Sequence, residues 1–254
     1  MTQLLHHYGG WHPSLPDQRN YVADTGTLPV LPEVDPRKEM PAIFDQGQLG
    51  SCTANAASGC FEYDGLLDGK TYNLSRLWIY YQERKIEHQL NQGDTGAYGH
   101  DAFKAAKNVG ICSERDWPYD ITTFETPPAA ASKDTGYYKL TKPYAVVPQS
   151  DLAIRRVLSN RQTIAFGFTV YESFESEEVS KTGIVPMPGQ DEGVLGGHEV
   201  LAVGYLKSEP HYYLVRNSWG TGWGLGGYCL FPRAYLLDKD LAGDLRTVQR
   251  PAGK

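Results

Sequence analysis

Gln46-Gly47-Gln48-Leu49-Gly50-Ser51-Cys52 opens onto a run of small and apolar residues, Thr53-Ala54-Asn55-Ala56-Ala57-Ser58-Gly59-Cys60-Phe61. Ser51 is a residue type that caps helices, and small side chains at helical spacing follow it, so a helix beginning at Cys52 is expected. That puts the Cys52 thiol in the first helical turn, where unpaired N–H groups and the helix dipole favour negative charge. Two segments far downstream carry chemistry of the same kind. Gly196-Gly197-His198-Glu199-Val200 supplies an imidazole behind two glycines, and Arg216-Asn217-Ser218-Trp219-Gly220 supplies an amide. A thiol, an imidazole and an amide are the parts of nucleophilic acyl transfer. The other histidines fit less well: His6, His7 and His12 lie near the N-terminus, His88 in a charged helix, and His100 and His211 at element starts.

Strand geometry ties the last two segments together. With Leu206 and His211 flanking a four-residue turn, antiparallel pairing puts His198 opposite Trp219 and Asn217 one diagonal step away on the same face. The Asn217 oxygen can then accept from one imidazole N–H, and Trp219 can screen that bond from water. Gln46, across a glycine-bearing loop from Cys52, can donate with the Cys52 backbone N–H to a developing oxyanion.

Around these points the pattern gives helices first and strands later, an α+β chain. Helices are expected over 74–90, 100–109 (closed by Gly110) and 151–160, with a loop over 120–132. Strands are expected over 163–171, 199–206, 212–216 and 227–231. Residues 1–30 read as an arm, rich in proline and glycine yet carrying Tyr8, Trp11, Leu15, Tyr21 and Val22. That is too much apolar surface for a free tail.

The 254 residues are 41% apolar and 21% charged, ordinary for a globular protein. The net charge of −6 without a basic cluster argues against nucleic acid and anionic membrane as partners. The first residues lack the basic and apolar regions of a secretory signal, so the chain as written is expected to start in the cytosol. No Cys/His spacing suggests a metal, and the acyl-transfer chemistry needs no cofactor. Besides Cys52, the cysteines are Cys60, Cys112 and Cys229, expected to be reduced, buried small hydrophobes.

The order Cys52, His198, Asn217 with these flanking residues resembles the papain family of cysteine peptidases, from about residue 31 to 231. The resemblance implies a two-lobe fold: a helical lobe over about 46–150, a β-barrel-like lobe over about 151–254 joined by residues near 31–45, and a cleft between Cys52 and His198. It implies peptide-bond hydrolysis through a thioester, with Cys52 as nucleophile, His198 as base then acid, Asn217 orienting the ring and Gln46 supporting the oxyanion. Residues 92–100 are similar to the family's glycine-rich strip, so Gly96 and Ala97 are expected to pair with substrate backbone. Tyr98, Gly167 and Gly196 would border the pocket for the second residue before the scissile bond, and Gly197 and Trp219 complete the substrate-facing candidates. Two departures stand out: Leu49 replaces a cysteine that is disulfide-bonded in many relatives, and Thr53 replaces a common Trp. The arm is much shorter than the family's usual pro-region. It is expected to lie in its own cleft and block it, with packing on the back of the domain as the alternative. Two rival functions are a silent peptide-binding shell and a transferase or ligase passing the thioester to an amine.

Overall fold

The computed structural model describes residues 10–14, 20–25 and 29–251. Among the described residues, seven helices and six strands follow in chain order as α1 (Cys52–Leu67), α2 (Arg76–Ile86), α3 (Gly99–Asn108), α4 (Ala129–Lys133), β1 (Tyr144–Val146), α5 (Asp151–Ser159), β2 (Ile164–Tyr171), α6 (Glu177–Thr182), β3 (Val194–Gly204), β4 (Tyr212–Arg216), β5 (Tyr228–Pro232), α7 (Arg233–Leu237) and β6 (Ala242–Val248). The fold is α+β. Expected loop 120–132 holds a 3-10 turn over Ile121–Thr123 and the start of α4.

α1 is buried from Cys52 to Gly65, so it is packed on all sides. Its small residues make this possible. At Gly59 an added Cβ would press on the Arg216 and Leu201 side chains at 3.3 Å. Around α1, α2 and α3 one apolar cluster gathers Phe61, Trp78, Phe103 and Trp117. A second lies between the sheet, α5 and α7, with Phe166, Phe168, Trp219 and Phe231 at its centre. Helix starts follow local chemistry at α2 and α5, where the Ser75 and Ser150 hydroxyls accept from Trp78 N and Ala153 N. Ser51 stands at the N-cap of α1 but makes no such bond. Its hydroxyl meets the Tyr119 hydroxyl at 2.5 Å and receives Asn55 Nδ2, so tertiary partners outcompete the cap.

Among the described residues the sheet runs β1-β6-β2-β3-β4-β5, and all five strand pairs are antiparallel. It is open among the described residues, a correction to the barrel-like lobe expected from sequence. The edge at β5 is covered instead by residues 183–185, where Leu230 N donates to Gly183 O and Val185 N to Leu230 O. Pairing of β3 with β4 places Leu201 opposite Arg216 and Ala202 opposite Val215, in the register anticipated from the turn. The turn itself differs. A bulge shifts the ladder to Gly204 opposite Leu214, and Tyr205 leaves to pair with Val34. Gly204 is needed there because a Cβ would overlap the Val34 carbonyl.

No helix of the described residues is long and apolar enough to cross a membrane. All four cysteines are free and buried.

Candidate active site

Three elements converge on the site. The start of α1 carries Cys52, 1% exposed. The middle of β3 carries His198, fully buried, and the end of β4 leads into Asn217. The His198 ring bonds through Nε2 to Asn217 Oδ1 at 2.8 Å. Asn217 Oδ1 also accepts the Ser218 N–H at 2.8 Å, which fixes the amide. Trp219 stacks on the imidazole with ring centroids 4.9 Å apart, and Phe168 meets it edge-on at 5.8 Å. Trp219 is 4% exposed and packs among Phe174 and Trp223, so it stands behind the histidine as part of the core.

Gln46 is fully buried. Its Oε1 accepts from Ser218 Oγ at 2.6 Å, and its Nε2 donates to Leu49 O at 3.0 Å. Its backbone N–H donates to Ser218 O. Ser218 thus holds the glutamine and the asparagine together. The sequence reading missed it, although it sits inside the Asn217-Ser218-Trp219 run.

On the other side of the cleft, Gly96 turns its N–H inward to the Tyr80 hydroxyl at 3.0 Å, with φ at +71°. The Tyr80 hydroxyl in turn donates to Asp94 Oδ1, whose other oxygen takes Gly50 N–H. The outward-facing backbone of the strip therefore belongs to Ala97. Its N–H donates to Gly10 O at 2.9 Å and its carbonyl accepts His12 N–H at 3.1 Å.

Those partners are the chain's own arm. Residues 10–14 lie in the cleft as an added strand, Trp11 bridging Ala97 in parallel. A Cβ on Gly10 would stand 2.8 Å from Cys52 Sγ, so the arm backbone covers the thiol. The Trp11 indole fills the space above Gly167 and Gly197, where any Cβ would overlap it. Gly196 continues that strand edge opposite Val170, and the Tyr98 ring lies 5.7 Å from the His12 ring. Residues 20–25 run beside β1, with Ala23 N donating to Val146 O and Val146 N to Tyr21 O. Docking here is through backbone, since the Tyr21 and Val22 side chains are each 57% exposed. Tyr8, Leu15, His6 and His7 lie outside the described residues.

Burial under the arm pushes the Cys52 thiol well above its ordinary range, and the carboxyls of Glu199 and Glu83 push the same way. The backbone N–H groups of Glu199 and Thr53 oppose them. The helix N-terminus favours the thiolate, and desolvation under the arm opposes it.

The model of the papain family cysteine proteases matches residues 30–239. This chain belongs to the papain family. It is 39% identical over 216 residues to a peptidase C1-like protein of Acanthamoeba polyphaga mimivirus, covering 81% of this chain and 69% of that one. It is 32% identical over 214 residues to mouse procathepsin L, covering 79% of this chain and 60% of that one. Among solved structures it matches xylellain, a cysteine protease from Xylella fastidiosa, at 32% identity and TM-score 0.84 over 98% of both chains. The papain-like fold and the cysteine-peptidase assignment follow from these likenesses.

Proposed function

We propose that this papain-family cysteine peptidase cleaves internal peptide bonds through Cys52, His198, Asn217 and Gln46. The observation that carries the reading is the His198–Asn217 bond at 2.8 Å, sealed by Trp219, beside a cysteine at a helix N-terminus. With Nε2 committed to Asn217, Nδ1 is the nitrogen that takes the thiol proton. The Cys52 sulfur attacks the scissile carbonyl, and His198 returns the proton to the leaving amine. Water then attacks the thioester with His198 again as base, releasing the acid and restoring the thiol. An amide nitrogen has two N–H groups. Gln46 uses one on Leu49 O, and the second serves the oxyanion together with the Cys52 backbone N–H. Substrate backbone pairs with Ala97, as the arm does.

The same contacts make the arm an internal blocker. Gly10 occupies the approach to Cys52, so turnover requires residues 10–14 to leave the cleft. Reactivity rises on opening, because rehydration lets the thiol ionise beside the imidazolium. The test is peptide hydrolysis by the full chain and its Cys52→Ala variant. Hydrolysis that survives in Cys52→Ala protein refutes the assignment.

A further inference from the structure

No disulfide ties the loop that leads into the nucleophile, since all four cysteines are free. One peptide unit sits at the centre of that loop, the unit joining Leu49 to Gly50. Its carbonyl accepts Gln46 Nε2–H at 3.0 Å and Ser51 N–H at 2.8 Å. The first bond fixes the amide assigned to the oxyanion. The second closes a tight turn into Cys52, whose backbone N–H is the other oxyanion donor. The N–H of the same unit points the opposite way, as a planar trans peptide requires. It donates to Asp94 Oδ2 at 2.7 Å.

Asp94 lies 44 residues further along the chain, in the strip that presents Ala97. Its Oδ1 accepts the Tyr80 hydroxyl proton, and the same hydroxyl oxygen accepts Gly96 N–H at 3.0 Å. Tyr80 is fully buried on α2, so the carboxylate is braced by a helix and not by the loop it serves. An anionic acceptor holds an amide N–H more strongly than a neutral one. Polarising that N–H also strengthens the carbonyl across the peptide as the acceptor for Gln46. Gly50 is buried, so losing the carboxylate leaves its N–H unsatisfied. Rotation of the peptide plane relieves that loss, and glycine at 50 makes rotation easy. The same rotation carries the Leu49 carbonyl off the Gln46 amide. We propose that Asp94 is a positioning residue for the oxyanion donors, resting on the peptidase reading above: its carboxylate fixes the Leu49–Gly50 peptide, and that carbonyl holds Gln46.

The test measures kcat and KM for one fluorogenic peptide in the full-length Trp11→Ala chain, which keeps the arm but removes the indole seated over Gly167 and Gly197. Asp94→Ala should lower kcat about tenfold or more, the size of one hydrogen bond to a charged group. KM should move less, because arm and substrate share the Ala97 edge and lose hold of it together. Added to Gln46→Ala, Asp94→Ala should cost no more than about twofold further in kcat, since the amide it positions is gone. Asp94→Asn should bring kcat back to within about threefold of the parent, its oxygen taking Gly50 N–H and its nitrogen donating to the Tyr80 hydroxyl. Tyr80→Phe should leave kcat within about twofold, because Gly50 keeps its acceptor. If Asp94→Ala protein does not fold, Asp94→Ser replaces it, with a hydroxyl too short to reach Gly50 and the same expected fall. An unchanged kcat in Asp94→Ala or its serine counterpart overturns the positioning role and leaves the peptidase reading standing. So does a tenfold fall that persists in the Gln46→Ala background, or an equal fall in Tyr80→Phe. Absence of turnover in the Trp11→Ala parent itself overturns the peptidase reading and this inference with it.

Discussion

At the scale of single residues, Cys52 is the decisive position. Cys52→Ala should abolish hydrolysis and leave the fold intact, because alanine suits a first helical turn and the site is already lined by small residues. Circular dichroism with a peptide assay checks both halves. Asn217→Ala should lower kcat and leave measurable turnover, since Asn217 orients the ring and carries no proton. Gln46→Ala should cost on the order of 10²-fold in kcat, with KM changing less, if its amide serves the oxyanion. An unchanged kcat removes Gln46 from the chemistry. Each of these residues stands out in the chain because it sits in a short segment of unusual composition, and the structure bonds His198 to Asn217 and holds Gln46 on Leu49 and Ser218. Ser218, which clamps Gln46 and steadies Asn217, does not stand out, since a serine becomes informative only when its partners from other elements are known. Asp244, whose carboxylate accepts the Trp11 indole N–H at 3.2 Å, was hidden for a different reason: its placement depends on a bulge that no local pattern announces.

At the scale of elements, strands and helices with strong local periodicity were legible to within a few residues, including α2, α3, α5, β2 and β4. The register inferred from a four-residue turn agrees with Leu201 opposite Arg216 and Ala202 opposite Val215, although a bulge shifts the ladder to Gly204 opposite Leu214 nearer the turn. The elements missed were short ones, α4, β1, α6 and α7, and β6, whose Gly243-Asp244 step breaks alternation. Ser51 shows the limit of cap rules, its hydroxyl being taken by Tyr119 and Asn55. Gly167→Ala puts a methyl group where the Trp11 ring lies and should displace the arm, so epoxide labelling of Cys52 should accelerate over wild type. A labelling rate equal to wild type would mean that the indole does not hold the arm on Cys52.

At the scale of the whole molecule, two apolar clusters occupy opposite faces of the sheet, Leu201, Val203 and Leu214 in one and Val200, Ala202 and Val215 in the other, and ionisable groups are buried beside them. Glu62 lies on α1 with its carboxylate accepting Leu74 N–H at 2.8 Å. Burial raises its pKa from 4.5 to about 7, with the Leu74 N–H and the Arg216 and Arg76 charges pulling it down. A raised carboxyl binds its proton more tightly when folded, so its contribution to stability is complete below pH 4.5 and is lost as pH rises through about 7. The loss is on the order of 3 kcal/mol. Urea melts at pH 5 and pH 7.5 should show Glu62→Gln, which keeps an acceptor for Leu74, losing less stability over that interval than wild type. Identical losses would mean that Glu62 does not carry the effect. The central claim is that one of four buried cysteines, Cys52, is the nucleophile of peptide hydrolysis. The most direct measurement treats the full-length Trp11→Ala chain with a thiol-directed epoxide and follows label position by mass spectrometry alongside residual turnover. The account predicts one label per chain, on Cys52, with hydrolysis lost in proportion to labelling. Label on Cys60, Cys112 or Cys229 with parallel loss of activity, or full turnover in a chain labelled at Cys52, would contradict it.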